Sequence, residues 1–267
     1  MGMIRKVITN LEDYIKQVLS LNASITSGSG NLGQVIVVFN DDGTPKVNDK
    51  NEIEIIGAYP DSLLFRGQTG DYRLIPKIAR KIQPHRLLNV ESTIIEEIRR
   101  RGDSLIKKGT LNNWDLLVYA QHYGLATRLL DWTSNPLVAL WFACQNNDSN
   151  AYIYVLKHSD HDLVNDELNT SPFVISKTKI FKPNLNNERI VAQNGWFTIH
   201  AISESHHRII PLDEEEGFKG RVWQIEIPSA HHSEILGKLN ILGINHETIY
   251  PGIEGTCRYI NWMNEID

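Results

Sequence analysis

The sequence has little cysteine and no long apolar run, and these two absences argue against a disulfide-rich, zinc-binding or membrane-spanning protein. Cys144 and Cys257 are the two cysteines among 267 residues, too few for a disulfide framework and without the paired spacing of a zinc site. No stretch of about 18 consecutive apolar residues exists. Residues 1–17 lack the apolar segment and small-residue cleavage site of a signal peptide. We therefore expect a cytoplasmic globular protein with reduced thiols.

Excess positive charge is also absent. The chain carries 27 Lys and Arg against 32 Asp and Glu, a formal net charge of -5. A field of this sign repels a nucleic-acid backbone, so neither nucleic acid nor a membrane is expected as a partner. A small anionic ligand would need cations placed locally.

The apolar patterning predicts an α+β fold. Helical spacing and cap residues predict helices at 11–22, 72–81, 90–100, 111–124, 136–144 and 233–243. Alternation and β-branched runs predict strands within 33–40, 53–65, 151–157, 196–203, 221–228 and 247–250, with an Asp-Gly turn and a weaker return strand after the first. We expect one compact unit, in which residues 1–58 form an N-terminal helix and β-hairpin extension and residues 59–267 form the main domain.

Two motifs suggest chemistry that their context does not support. "GSGNLGQV" at 28–35 satisfies the glycine pattern of dinucleotide and kinase loops, but it follows a helix and opens a strand, and the other kinase motifs are absent. The doublets His206-His207 and His231-His232 suggest a metal. Adjacent side chains diverge on a strand or a helix, so we expect surface histidines and no metal.

Several polar residues stand beside apolar sequence, where charge is costly unless it is paired or used. They are Arg66, His122, Thr127, Arg128, Asp131, Arg189, Gln193 and Glu247. Each has a structural interpretation. Arg66 could form a salt bridge at a strand end, Arg128 and Asp131 could pair across one helical turn, and His122 could pack on Tyr123.

Four segments resemble a known family. They are "LLFRGQ", "YAQHYGLATRLLDWTSNPLVALWFAC", "RIVAQNGWFTIH" and "IYPGIEG", between about Ser62 and Thr256. Together they are similar to the FRG domain, named for its Phe/Tyr-Arg-Gly motif. This resemblance implies a fold more directly than a reaction.

A more distant resemblance concerns ADP-ribosyltransferases of the Arg-Ser-Glu type. In that family an aromatic-Arg-Gly ends the first core strand, as "FRG" does here, and a Ser-Thr-Ser strand runs into a helix, as in "DWTSNPLVALWFA". A glutamate begins the family's later strand, and "ETIYP" is similar to it. The resemblance implies an ADP-ribosyltransferase-like split β-sheet core with a helical insertion.

This second resemblance implies NAD as substrate, with cleavage of the nicotinamide–ribose bond and transfer of ADP-ribose to an unknown acceptor or to water. By this resemblance Glu247 is the catalytic glutamate, Arg66 is the NAD-binding arginine and Thr133 stands at the final serine of the motif. His122, Tyr123, Arg189 and Gln193 belong to the FRG pattern and have no counterpart in the transferase motif, so we expect them on the acceptor side. The expected catalytic residues are therefore Glu247, Arg66 and His122, and the expected NAD-binding residues are Arg66, Gly67, Gln68, Tyr123, Arg128, Asp131, Thr133 and Gln193. Arg66 offers a planar donor fork for phosphate or ribose oxygens, and Gly67 lets a ligand approach the backbone. Glu247 would stabilise the positive charge that develops on the ribose.

The sequence also departs from the transferase pattern. Asp131 and Trp132 stand where the family has its first serine and threonine, and Asn245 replaces the glutamate of arginine-modifying members. Arginine is therefore not the expected acceptor, whereas another nucleophile or water is. A toxin or phage-defence role follows only by association. The alternative from another class is a non-catalytic FRG module that binds a nucleotide or partner protein through a buried Arg/Asp/His network, with Glu247 an ordinary exposed strand carboxylate.

Overall fold

The structure is a computed structural model. It describes residues 5–26, 35–37, 40, 44, 46–47, 55–57, 62–83, 86–102, 111–164, 170–185, 187–203 and 208–266. The Asp-Gly turn, the glycine-rich 28–34 segment and the His206-His207 doublet lie outside these residues.

Within the described residues, nine strands form two sheets. The strands are β1 (Arg5–Val7), β2 (Val35–Val37), β3 (Ile55–Gly57), β4 (Ser62–Gln68), β5 (Leu129–Thr133), β6 (Ala151–His158), β7 (Lys179–Phe181), β8 (Gly195–Ile199) and β9 (Val222–Ile227). Seven of them form one sheet in the order β1-β9-β6-β4-β5-β8-β7, and β2 pairs with β3 separately. All neighbours in the large sheet are antiparallel except β1 and β9.

The described helices connect and cover these strands. They are α1 (Leu11–Thr26), α2 (Lys77–Lys81), α3 (Leu87–Gly102), α4 (Asn113–His122), α5 (Pro136–Ala143), α6 (Glu188–Ala192), α7 (His232–Ile241), α8 (His246–Ile249) and α9 (Ile253–Met263). The predicted α+β class is confirmed at this level. No described helix has both the length and the apolar character needed to span a membrane.

The sheet parts at its centre. β4 pairs with β6 along its whole length, from Ser62 opposite His158 to Gln68 opposite Tyr152. With β5 it pairs at a single position, Phe65 opposite Thr133. Because the β4–β5 ladder does not continue, the two strands separate from Arg66 onward, and a cavity opens between them.

Helix α5 underlies the centre of the sheet, as its sequence predicts. Pro136 occupies the first turn, and the Asn135 side chain accepts a hydrogen bond from the backbone N–H of Leu137 at 3.0 Å. The helix is apolar on all sides because it is buried between β4, β6 and β9 and the helices α1 and α7. The Tyr14 hydroxyl of α1 donates to the carbonyl of Pro136 at 2.9 Å.

The opposite face of the sheet carries a second core. Leu64, Leu130, Tyr154 and Leu156 alternate with the α5-facing positions and pack against Leu212. This alternation follows from the two-residue period of a strand. A third cluster packs α3 and α4 against β5, β7 and β8.

Three local predictions are wrong. Residues 247–249, predicted as part of a strand at 247–250, belong to α8, and Tyr250 follows the end of this helix. Asn245 caps the helix, and its side chain accepts from the N–H groups of Glu247 and Thr248. Helix α2 begins only at Lys77, after Pro76. His232 is buried rather than exposed, with its ring nitrogens 2.7 Å and 3.1 Å from the carbonyl oxygens of Asn146 and Ile227.

Gly67 allows β4 and α5 to approach backbone to backbone. A Cβ placed on Gly67 would lie 2.6 Å from the backbone nitrogen of Ala143 and closer still to the carbonyl oxygen of Ala139. The glycine is therefore required by the helix that packs on this side of the strand.

We expect Gly67→Ala to lower the free energy of unfolding by about 2 to 3 kcal/mol, because backbone atoms must move to admit the methyl group. Gly195→Ala on β8 is the matched control, since its Cβ would meet no atom closer than 3.5 Å. Urea denaturation measures both variants. Equal, small effects would show that the β4–α5 contact does not require glycine.

A second prediction concerns acid stability. His200 is fully buried after β8, and burial lowers its pKa from 6.5 to about 3. Below pH 6.5, His200 binds a proton in the unfolded chain but stays neutral in the folded protein. The free energy of unfolding therefore falls as the pH drops from 6.5 toward 3. When the pH is lowered from 7 to 5, we expect the free energy of unfolding of the wild type to fall by about 2 kcal/mol more than that of His200→Gln. Denaturation at both pH values tests this, and parallel losses would contradict it.

Candidate functional site

A cavity of about 600 Å³ lies where β4 and β5 separate. Its walls come from β4, β5, α2, the end of α4, α5, α6 and Tyr250. The volume lies within the range of small-molecule sites, roughly 300 to 1,000 Å³. Of the residues predicted from the sequence, the structure brings together in this wall Arg66, Gly67, His122, Asp131, Thr133, Arg189 and Gln193.

Arg66 lies in the gap between the two strands. Its side chain is 16% exposed, and its Nη1 donates to the backbone carbonyl of Asp131 at 2.7 Å. The same nitrogen is 3.7 Å from Asp131 Oδ2, while Nε is buried and has no acceptor. Burial lowers the pKa of Arg66, the Asp131 charge opposes this shift, and Arg80 adds to it. The guanidinium is thus oriented by β5 and retains unused donors.

Asp131 is positioned by a chain of polar side chains. Gln121 Nε2 donates to Asp131 Oδ1 at 2.7 Å. The Thr127 hydroxyl donates to Gln121 Oε1 and accepts from the backbone N–H of Leu129 at 3.1 Å. Asp131 nevertheless keeps 59% of its side chain exposed. Its carboxylate is therefore held in place but is accessible from the cavity.

Thr133 and Gln193 join the ends of β5 and α6. The Thr133 hydroxyl donates to the Gln193 carbonyl at 2.7 Å and accepts from the Asn135 N–H at 3.0 Å. Gln193 Nε2 donates to the carbonyl of Ile249 at 3.2 Å. These bonds connect three sequence-distant elements at one edge of the cavity.

His122 presents an unused nitrogen near the cavity. Its Nε2 is buried without a hydrogen-bond partner. Burial lowers the pKa of His122, the Asp131 charge opposes the shift, and the Arg189 charge adds to it. The ring is therefore neutral at pH 7. Its edge packs on Phe197, with 6.2 Å between ring centroids, rather than on Tyr123 as the structural interpretation expected.

The structure adds to the wall Lys77 and Arg80 of α2, which sequence reasoning did not single out. Phe142 of α5 and Tyr250, which belong to the segments that resemble known families, also line the wall. Lys77 and Arg80 are spaced i, i+3 around the buried Ile78, a pattern visible in "PKIAR". The sequence does not show that α2 faces Arg66. The position of α2 is set by a tertiary hydrogen bond from the N–H of Ile78 to the carbonyl of Thr127.

Tyr250 and Arg189 form the wall beside α9. The guanidinium carbons of Arg189 and Arg258 lie 5.4 Å and 4.8 Å from the Tyr250 ring centroid, in cation–π geometry. Glu254 bridges the two guanidinium groups. Arg189 Nη1 also donates to the carbonyl of His122 at 3.3 Å.

The charge of the cavity wall is opposite to that of the chain. Arg66, Lys77, Arg80 and Arg189 contribute four cations, and Asp131 is the single carboxylate among the lining residues that the structure describes. The whole chain carries -5. This local excess of positive charge suits an anionic ligand.

Four predicted site residues do not line this cavity. Glu247 is exposed on α8 and accepts from the Thr256 hydroxyl at 3.0 Å. Gln68 is 6% exposed, with its Nε2 3.4 Å from the carbonyl of Tyr72. Tyr123 is 75% exposed after α4.

Arg128 is the fourth. It is 2% exposed and binds Glu91 of α3 through Nε at 2.6 Å and through Nη2. Arg128 and Asp131 do not pair across a helical turn, because Asp131 lies on β5 and Arg128 points into the core between α3 and the segment at Pro172.

We expect Glu91→Ala to lower the free energy of unfolding by about 3 to 5 kcal/mol, because Arg128 would remain buried without its counter-charge. The exposed Glu96→Ala on the same helix is the control and should change stability by less than about 0.5 kcal/mol. The double variant Glu91→Leu/Arg128→Met should recover most of the loss. Thermal and urea denaturation measure all three, and a double variant no more stable than Glu91→Ala would contradict the pairing.

The comparisons with known proteins support part of the resemblance seen in the sequence. Residues 61–151 match the family model described as FRG domain, and the resemblance is confirmed over that segment. Neither the curated proteins nor the solved structures gave a match. The matched segment contains β4, α2, α3, α4, β5 and α5, whereas Arg189, Gln193 and Tyr250 lie beyond it.

Proposed function

We propose, taking the FRG domain at residues 61–151 as the premise, that the protein binds NAD in the cavity around Arg66 and cleaves its nicotinamide–ribose bond. ADP-ribose is then transferred to an acceptor or to water. The observation that carries this proposal is the convergence of Arg66, Thr133 and Gln193, three of the residues expected to contact NAD, on one cationic cavity of nucleotide size.

The lining residues suit the parts of NAD. Phe142 and Tyr250 offer aromatic surfaces for a planar ring. The cations suit phosphate oxygens, and Arg66 can bind them through two donors at once. An arginine that is already oriented by β5 loses little freedom when the ligand binds.

Bond cleavage requires stabilisation of positive charge. When the C–N bond breaks, its electron pair leaves with nicotinamide, and positive charge develops on the ribose. Asp131 is the carboxylate of the cavity wall and would stabilise that charge. The attacking hydroxyl of the acceptor or of water then forms the new bond to the ribose carbon, and the neutral His122 would accept its proton.

A second candidate function is non-catalytic nucleotide binding. The bond from Arg66 to the Asp131 carbonyl, the Asp131–Gln121–Thr127 network and the position of Glu247 outside the cavity favour it. In this case the polar network serves to shape the cavity and no bond is broken.

The test is incubation of the purified protein with NAD, with and without cell lysate as acceptor source, followed by chromatography of released nicotinamide. Asp131→Asn should slow release by about 100-fold or more, while the exposed Asp148→Asn should leave it unchanged. Glu247→Gln decides whether Asp131 or Glu247 stabilises the charge on the ribose. If nicotinamide release falls strongly in Glu247→Gln and not in Asp131→Asn, that role belongs to Glu247 of α8.

Calorimetric titration with NAD separates the two candidates. Binding without nicotinamide release under either condition favours the non-catalytic function. Absence of both binding and release overturns the proposal.

A further inference from the structure

We propose that Lys77 and Arg80 of α2, together with Arg66, form a subsite for the diphosphate of the ligand. This inference rests on the proposed NAD binding and assigns part of that ligand to one wall of the cavity. Neither α2 residue was singled out by the sequence patterns or by the resemblance to ADP-ribosyltransferases.

The packing of α2 directs both cations toward the cavity. Ile78 is fully buried, and its N–H lies 3.4 Å from the carbonyl of Thr127 at the start of β5. Residues three apart are neighbours on a helix surface, so Lys77 and Arg80 flank this anchor. Both line the cavity that contains Arg66.

The two side chains retain most of their donors. Lys77 Nζ donates to the carbonyl of Gly124 at 3.2 Å, and Arg80 Nε donates to the carbonyl of Ile75 at 3.1 Å. Lysine has three donors and arginine has five. In the part of the chain that the structure describes, no carboxylate lies within the 4 Å ion-pair distance of either residue.

The other cations of the wall are compensated. Arg66 faces Asp131, and Arg189 pairs with Glu254. The wall therefore has its uncompensated positive charge at α2, next to Arg66, whose pKa the Arg80 charge helps to lower. Three neighbouring cations with one carboxylate repel one another, and a dianion placed between them removes that repulsion.

Diphosphate fits this arrangement better than a single carboxylate does. Its two phosphoryl groups carry separate charges and several acceptor oxygens, so they can engage two or three cationic side chains together. The guanidinium forks of Arg66 and Arg80 and the point charge of Lys77 supply that combination. The rest of the cavity, with Phe142, Tyr250 and Asp131, is left for the ring and ribose.

The experiment is calorimetric titration of the full chain with NAD, inorganic pyrophosphate and nicotinamide riboside, which lacks phosphate. Lys77→Gln/Arg80→Gln removes the two charges, and Lys219→Gln/Arg101→Gln removes the same two charges from exposed positions outside the cavity. Lys77→Arg/Arg80→Lys keeps both charges. The single variants Lys77→Gln and Arg80→Gln repeat the test if the double variant unfolds.

We expect pyrophosphate and NAD to bind about tenfold more weakly for each α2 charge removed, since each charge-assisted hydrogen bond contributes about that factor. Nicotinamide riboside should bind equally well to the double variant. The distant control and the charge-conserving variant should bind pyrophosphate within about threefold of the wild type.

The outcomes separate this inference from the proposed function. NAD affinity that is the same in the double variant and the wild type overturns the subsite and leaves NAD binding intact. Pyrophosphate binding that depends on Lys77 and Arg80, without NAD binding, supports the subsite and overturns NAD as ligand. Equal losses of affinity in the α2 variant and the distant control would show an effect of net charge alone and would overturn the subsite. A protein that binds neither NAD nor pyrophosphate overturns both the subsite and the proposed function.

Discussion

The site depends on one hydrogen bond across a gap in the sheet, from Arg66 to the backbone carbonyl of Asp131. β4 and β5 share a single paired position, Phe65 with Thr133, and then separate. Without a partner, the carbonyl of Asp131 would face a partly apolar cavity and lose stabilisation. Arg66 satisfies it and, because the strand ladder ends there, keeps its remaining donors for a ligand. The same break in backbone pairing therefore creates the cavity and orients its central cation.

The parts of the fold that were predictable are those specified by local sequence. Helix α5 follows from Pro136, the Asn135 cap and an all-apolar run, and β4 follows from "LLF". One failure concerns information far along the chain, because the buried partner of Arg128 is Glu91, 37 residues away. The other failure was local: "ETIY" matched a strand pattern, but Asn245, two residues before it, caps a helix.

The site was predictable in its centre and not at its edges. Arg66, Asp131 and Thr133 belong to contiguous motifs, whereas Lys77 and Arg80 reach the cavity only through the tertiary packing of α2. Net charge was equally uninformative about the site. An acidic chain builds a cationic wall by bringing together cations from three elements, β4, α2 and α6, and placing Glu91, Glu247 and most other carboxylates elsewhere.

The contact between Gly67 and the backbone of α5 has a consequence for how such a cavity can diversify. Main-chain atoms form that contact, so exchange of other side chains leaves it unchanged. Variation in ligand size or chemistry can then arise at Phe142 of α5, in α2 and α6 and at Tyr250, where side chains line the walls. A lineage that keeps the aromatic-Arg-Gly strand can in this way acquire new specificities while its central architecture stays constant.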